Sequence, residues 1–393
     1  MKRRLYAGHN LDRAQSIDEL REMARRRVPN FCFEYVEGGS EDEVTLRRNR
    51  EVFSKLLFQP RTLVDVAERN QRKQLLGEEV ASPFLIGPTG FSGMLSRQGD
   101  LSLARAASSA GIPFVLSNVS TTSLEDIVRL SGENSRIWMQ VYMYRTREFV
   151  KQIANRALNA GISTLVLTTD SAVYGKREWD LRNFSSPMSL DWRNKIDVIQ
   201  HPRWLIDILV PSGFPRFENL GDLLPPDQTS VRGAASSVLG RSLDPSLSWR
   251  DVEWLRKMWP GKLVIKGLMH PKDAERAIEV GADGIVLSNH GGRQLDGALS
   301  TMDVLQEVAA VVKGRLTVML DGGFRRGSDI VKAVALGADA VFIGRATTYG
   351  LAAGGQAGAE RAIEILRSEI DRVLGLLGCP DIAQVDQTYL RSV

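Results

Sequence analysis

Gly284-Ile285-Val286-Leu287-Ser288-Asn289-His290-Gly291-Gly292-Arg293-Gln294-Leu295-Asp296 changes character part-way along. A short run that is apolar at every position gives way to polar side chains and a pair of glycines. A run of this length without alternation reads as a parallel strand buried on both faces. Its end sets an imidazole and a guanidinium three residues apart, a proton acceptor and a carboxylate fork on one tight turn. The glycines between them are expected to keep side chains out of the space above that turn.

The same pattern recurs at Pro83–Gly90, Pro113–Val119, Ile137–Met143, Thr164–Asp170, Leu263–Gly267, Leu316–Gly323 and Ala340–Arg345, so Gly284–His290 is one of eight. Between most of them lie stretches with apolar residues at three- and four-residue intervals: Gly99–Ala110, Ser123–Leu130, Arg147–Ala160, Pro271–Val280, Thr301–Val312, Ser328–Leu336 and Gln356–Leu377. Gly111, Gly161, Gly281 and Gly337 follow such stretches as helix C-caps. Eight strand-then-helix units predict an α/β fold, a (β/α)8 TIM barrel. An open doubly wound sheet is the weaker alternative, because the count stops at eight and no GxGxxG follows the first strand. Residues 1–80 form an N-terminal helical cap, with helices over Ile17–Arg27 and Glu41–Phe53. The barrel occupies 81–378, carries a long insertion at 171–250 after strand four, and leaves a tail at 379–393.

The 393 residues balance 51 Lys and Arg against 47 Asp and Glu, and a net charge of +4 argues against a nucleic-acid partner. Cys32 and Cys379 form neither a CxxC pair nor a zinc spacing, so no metal is expected and a reducing compartment is the default. The basic stretch Met1–Asn10 lacks the apolar core of a signal peptide, and no apolar run is long enough to span a bilayer.

Chemistry in such a barrel sits at the C-terminal strand ends. Reading them off gives Thr89 and Gly90, Ser117, Gln140 and Tyr142, Thr168 and Asp170, Lys266, Ser288 and His290, Asp321 to Gly323, then Gly344 and Arg345. Such a polar ring above an apolar core is unfavourable unless something binds there, although Thr168, Ser117 and Gln140 could simply bond backbone. Lys266 ends an apolar strand, where a lysine needs a partner. Among four histidines, His9 lies near the terminus, His201 in the insertion and His270 before Pro271 at a helix start, which leaves His290 as the candidate general base. Asp170 can orient its ring and stabilise the imidazolium. No GxSxG elbow supports hydrolysis. Asp321-Gly322-Gly323-Phe324-Arg325-Arg326-Gly327-Ser328 and Gly344-Arg345 follow strands seven and eight, where this fold holds phosphate groups. Arg325 or Arg345 would supply the fork.

These residues, with Glu34-Tyr35, Glu37-Gly38-Gly39 and Gly87-Pro88-Thr89-Gly90, resemble the FMN-dependent (S)-2-hydroxy-acid oxidase and dehydrogenase family over nearly the whole chain. The resemblance implies FMN as cofactor and His290 as base, supported by Asp170. It implies Arg293 and Arg177 as a substrate-carboxylate clamp touched by Tyr35, and Tyr142 at the substrate hydroxyl. Lys266 would sit beside the flavin N1/O2 edge. Thr89, Gly90, Ser117, Gln140, Thr168 and Ser288 would line the flavin, Asp321 would bond the ribityl chain, and Gly323, Arg325, Gly344 and Arg345 would hold the phosphate. Val119 replaces the tryptophan that glycolate oxidases carry after strand two, leaving room for a bulkier substrate. Gly90 stands where family oxidases often have alanine. Residues 168–181 most resemble a mandelate-oxidising branch, so an aromatic 2-hydroxy acid leads and lactate follows. A peroxide-forming oxidase, a Schiff-base aldolase using Lys266 and a non-catalytic membrane-binding barrel are the competing readings.

In the insertion, Trp192, Trp204, Phe214 and Phe217 interleave with Arg193, Lys195, Arg203 and Arg216 around the apolar run Leu205–Val210. That mixture suits a membrane interface. Together with the resemblance it implies a peripheral protein on the cytoplasmic face of the inner membrane that passes electrons to a quinone, assembled as a homo-oligomer, a tetramer.

Overall fold

The structure, a computed structural model, describes residues 5–185, 189–221 and 242–392. Eight parallel strands close into a barrel in chain order: Phe84–Ile86, Phe114–Leu116, Ile137–Tyr142, Thr164–Thr168, Lys262–Leu268, Gly284–Leu287, Thr317–Leu320 and Ala340–Ile343. The last pairs back onto the first, Val341 beside Phe84 and Ile343 beside Ile86. The expected (β/α)8 architecture is the one present.

Two cores follow from the two-residue period of the strands. Leu85, Val115, Trp138, Val166, Val264, Val286, Met319 and Phe342 fill the barrel interior. Leu75 and Val80 of the hairpin Lys73–Leu75/Glu78–Val80 close that cluster from below. The alternate residues, such as Ile86, Leu116, Leu167 and Ile265, pack outward against the helices. Two positions beyond the interior Val115, Trp138, Val166, Val264, Val286 and Met319 stand Ser117, Gln140, Thr168, Lys266, Ser288 and Asp321. The polar ring is therefore the topmost inward layer of the barrel, placed there by the strand period.

The helical elements depart from expectation in several places. Asn30–Glu37, which carries Tyr35, is a helix that was not expected. A helix at Trp249–Met258, between strands four and five, was not anticipated, although Ser248 and Asp251 form a capping box at its start. Glu41–Phe53 is not one helix. Glu41 and Glu43 take left-handed conformations (φ 47° and 59°), so the helix runs Val44–Glu51 and a 3-10 turn Val52–Lys55 follows. The last helix begins at Gln356 as expected; an additional helix over 345–353 precedes it across the non-helical pair Gly354–Gly355 and starts at the barrel mouth.

The N-terminal segment is stitched onto the barrel. Helix Ile17–Arg27 packs on the last helix, where Arg361 donates to Ala14 O at 2.8 Å. Leu56–Phe58 pairs antiparallel with Leu390–Ser392. Asn49 exchanges amide hydrogen bonds with Asn289 at 2.9 and 2.8 Å, both side chains buried.

Of the insertion, residues 186–188 and 222–241 lie outside the described residues. The rest forms helices Glu178–Asn183 and Trp192–Gln200, then a helical stretch from Pro202 to Ser212. Its aromatics do not form one exposed group as expected. Trp204 is buried and its indole N–H donates to Met94 O at 2.7 Å. Phe217 is buried edge-on against Phe91, with ring centres 4.9 Å apart. Both are core residues because the insertion lies down on the first strand's loop. Besides Val173, Trp179 and Leu181 near its start, the exposed apolar residues of the insertion are Trp192, Ile196, Ile199, Ile206 and Val210. Among the described residues, no helix is long and apolar enough to cross a membrane.

Candidate active site

A cavity opens at the C-terminal mouth of the barrel. Its wall includes Tyr35, Thr89, Gly90, Ser117, Val119, Tyr142, Arg177, Lys266, His290, Arg293, Asp321, Arg325, Gly344 and Arg345, all of them expected. Asp170 and Ser288 stand behind that wall, bonded to His290 and Lys266. Gln140 and Thr168 lie beneath it in a side-chain relay: Ser117 Oγ donates to Gln140 Oε1 at 3.1 Å, and Gln140 Nε2 donates to Thr168 Oγ1 at 3.1 Å.

His290 carries the geometry of a proton acceptor. Its Nδ1 lies 2.8 Å from Asp170 Oδ1, leaving Nε2 for the cavity. Burial pulls the imidazole below its ordinary range, and the Asp170 carboxylate opposes that pull. The ring is therefore neutral near pH 7, with Nε2 available to accept a proton. Burial pushes Asp170 upward, yet His290 and Lys266 together hold it well below the usual carboxylate range.

Lys266 is buried among anions. Its Nζ lies 3.1 Å from Asp321, 3.9 Å from Asp170, and donates to Ser288 Oγ at 2.8 Å. Burial pulls its pKa down, but Asp321 and Asp170 raise it above the ordinary value. A Schiff-base lysine must be neutral, so this environment speaks against the aldolase reading. A fixed ammonium at a cavity floor instead stabilises negative charge on a bound group.

Two guanidiniums, of Arg177 and Arg293, line one end of the cavity. Arg293 Nη1 donates to Tyr35 O and Gly38 O, each at 2.7 Å. Its Nη2 is buried and has no hydrogen-bond partner among the described residues; Asp180 Oδ2 lies 3.9 Å away. Burial, then the charge of Arg177, lowers the Arg293 pKa. An orphaned guanidinium N–H beside a second arginine is a vacancy for a carboxylate. Arg177 stacks over Tyr174, 4.3 Å from its ring centre, and donates to Arg293 O at 3.2 Å. Aromatic and apolar groups complete this end: Phe91, Val119, Tyr142, Tyr144, Tyr174 and Leu243. Leu243 was missed, since it reaches the site only through the bridge that pairs it with Tyr144 at the far end of the insertion.

Three expectations need correction. Of the glycines in the His290 turn, Gly291 lines the cavity but Gly292 does not. His290, Gly291 and Gly292 are all left-handed (φ 57°, 63° and 75°). A Cβ on Gly291 would stand 2.9 Å from Arg345 Nη1, and one on Gly292 would stand 2.7 Å from Leu46 N. Arg345 does not offer a free fork either. Its guanidinium donates to Val36 O, Gly291 O and Gly38 O at 2.7 to 2.9 Å, and burial with Arg293 nearby lowers its pKa to about 10. Gly323 is turned away from the cavity, since a Cβ there would meet Asn49 O at 2.0 Å. Gly322, Phe324 and Arg325 take its place in the wall.

The chain matches the FMN-dependent dehydrogenase family model over residues 24–392. This protein belongs to the FMN-dependent dehydrogenase family. It is 46% identical over 378 residues to (S)-mandelate dehydrogenase of Pseudomonas putida, covering 96% of this chain and 94% of that protein. It is 42% identical over 376 residues to an L-lactate dehydrogenase of Allorhizobium ampelinum, covering 95% and 98%. Among solved structures, (S)-mandelate dehydrogenase described as a monotopic membrane protein superposes with a TM-score of 0.91 at 45% identity, over 97% of this chain and 100% of that one. A mandelate oxidase with benzoyl-formic acid superposes with a TM-score of 0.79 at 32% identity, over 96% and 98%.

The cavity fits FMN, the cofactor of this family. The buried ammonium of Lys266 suits an electron-accepting ring. Asp321, also in the wall, can accept from hydroxyl groups. Gly344 leaves open space before the helix over 345–353, with Thr89 Cγ2 3.9 Å from a Cβ position. The first N–H groups of that helix, with Arg325, suit an anion such as a phosphate group.

Proposed function

We propose that this protein oxidises an (S)-2-hydroxy acid with an aromatic side chain to the 2-oxo acid. The observation that carries the reading is the pairing of the His290–Asp170 contact with the unpartnered Nη2 of Arg293 in one cavity. Bound FMN supplies the two-electron acceptor that amino-acid side chains lack. Arg293 and Arg177 hold the substrate carboxylate, and the phenol of Tyr35 borders the same site. Tyr142, whose pKa burial raises well above its ordinary value, stays protonated and donates to the substrate oxygen. His290 Nε2 accepts the substrate proton, and Asp170 stabilises the imidazolium. Lys266, Ser117, Gln140, Thr168, Ser288, Thr89 and Gly90 would hold the FMN ring, to which Lys266 would supply a positive charge. Arg325, Gly344 and the backbone of Arg345 would hold the phosphate, and Asp321 would bond the ribityl hydroxyls.

Val119, Phe91, Tyr144 and Leu243 form a wall wide and apolar enough for an aryl group, which favours a mandelate-like acid over lactate. The reduced protein passes its electrons to a quinone at the cytoplasmic face of the inner membrane, held there peripherally by Trp192, Ile196, Ile199, Ile206 and Val210. The flanking basic residues Arg193, Lys195 and Arg203, and the relative described as a monotopic membrane protein, support that placement. A tetramer rests on the family resemblance alone. Anaerobic addition of (S)-2-hydroxy acids to the FMN-loaded protein tests the reaction. Mandelate is expected to bleach the flavin faster than lactate. Absence of bleaching by every (S)-2-hydroxy acid refutes it.

A further inference from the structure

Gln294 belongs to the same turn as His290 and Arg293, yet it has no part in the chemistry above. It is buried and makes four hydrogen bonds, all to one segment. Its Nε2 donates to Asp170 O at 2.9 Å and to Val173 O at 3.0 Å. Its Oε1 accepts from Gly175 N at 3.1 Å and from Arg177 Nη2 at 3.4 Å. An amide has two donor hydrogens and two acceptor lone pairs, so this side chain is saturated. No carboxylate or hydroxyl offers the same set.

The bonded segment, 170–177, carries Asp170 at one end and Arg177 at the other. The turn that carries Gln294 holds their two functional partners, His290 and Arg293. Backbone packing supports the same joint: a Cβ on Gly175 would stand 2.5 Å from Arg293 O and 2.7 Å from Gln294 Cα. Arg177 Nε also donates to Arg293 O at 3.2 Å. The segment has no helix or strand of its own and Val173 is largely exposed. Ser171 Oγ, 3.4 Å from His290 Nδ1, and Glu41 N, which donates to Lys176 O at 3.0 Å, also touch it, but each reaches one end only, whereas Gln294 spans both.

We infer that Gln294 is a positioning residue: one amide clips the strand-four segment to the strand-six turn, and so fixes both the Asp170–His290 contact and the Arg177–Arg293 spacing. The inference rests on the proposed roles of those four residues. Its two ends predict separable effects. The Nε2 end holds Asp170, and hence the base. The Oε1 end holds Gly175 and Arg177, and hence the carboxylate site.

The test compares Gln294→Met, which removes all four bonds at similar size, with Gln294→Glu, which keeps the acceptors and loses both donors. Each is measured as the FMN-loaded full chain. Gln294→Met is expected to lose about 10²-fold in kcat/KM, since misplacement of about 1 Å produces losses of that size. It should also bind an aryl 2-oxo acid more weakly and speed hydrogen exchange in peptide 169–181. Gln294→Glu is expected to lower kcat while KM stays within about twofold. In both variants the acid limb of kcat/KM moves to lower pH, because Asp170 no longer holds the His290 pKa up. A merely structural role would lower the melting temperature and leave limb and KM–kcat split in place. Unchanged exchange together with an unchanged pH limb overturns the inference. If the wild-type protein oxidises no hydroxy acid, the proposed function fails, and exchange in peptide 169–181 still decides whether Gln294 clips the segment. If Gln294→Met does not retain FMN, the split and limb of Gln294→Glu decide.

Discussion

Replacing Asp170 by asparagine removes one charge and keeps the shape. Asp170 Oδ1 lies 2.8 Å from His290 Nδ1, and both side chains are mostly shielded from solvent. When His290 takes a proton, the new positive charge meets a full negative charge across one hydrogen bond. Two unit charges about 4 Å apart interact by about 4 kcal/mol at an effective dielectric constant near 20. Asparagine retains a carbonyl acceptor for Nδ1–H, which recovers about 1 kcal/mol of that. The remaining ~3 kcal/mol corresponds to roughly a 10²-fold fall in the rate of flavin reduction. The pH dependence has a definite sign. Activity requires neutral His290, so it declines as pH falls through the imidazole pKa. Burial already depresses that pKa and Asp170 opposes the depression, so removing the carboxylate moves the acid limb to lower pH. The assay is anaerobic stopped-flow reduction of the bound flavin by saturating hydroxy acid across the acid range. A variant within about threefold of wild type, or an acid limb that moves to higher pH, refutes the role given to Asp170.

Gly292→Ala should lower the melting temperature and weaken FMN retention, since φ is 75° and the new Cβ would meet Leu46 N at 2.7 Å. Gly161→Ala, also left-handed at φ 83° but with nothing within 4 Å, should show only the backbone strain of about 1–2 kcal/mol, and equal losses in the two would contradict the packing argument. Ile199→Glu with Ile206→Glu alters two exposed positions and leaves the core intact. Each apolar side chain buried in a membrane interface contributes about 1.5–3 kcal/mol, so the double variant should move from the membrane fraction to the soluble fraction with its flavin bound. Retention in the membrane fraction would show that this face is not the anchor. Deleting the insertion is a poorer probe, because Trp204 and Phe217 are core residues.

The barrel was legible because its signals are local. Each strand is a short apolar run, and each polar end continues the inward register of its own strand, as Val264 leads to Lys266 and Val286 to Ser288. The helix Trp249–Met258 escaped notice because the long insertion before it obscured the capping box at Ser248 and Asp251. The aromatic residues of the insertion carried no mark of which side they would present. Trp192 is exposed and Trp204 buried, though both stand beside an arginine.

Residue order along the chain determined the eight-unit barrel, the family, and the set of groups gathered at one mouth, since strand period and turn chemistry act over a few neighbouring residues. Tertiary structure alone decided how those groups share their hydrogen bonds. It gave the fork of Arg345 to three carbonyls, left Nη2 of Arg293 unpartnered, and placed Leu243 against Tyr144. Hydrogen-bond partners are chosen by proximity in space between residues far apart in sequence, and no local pattern encodes which donor is left over.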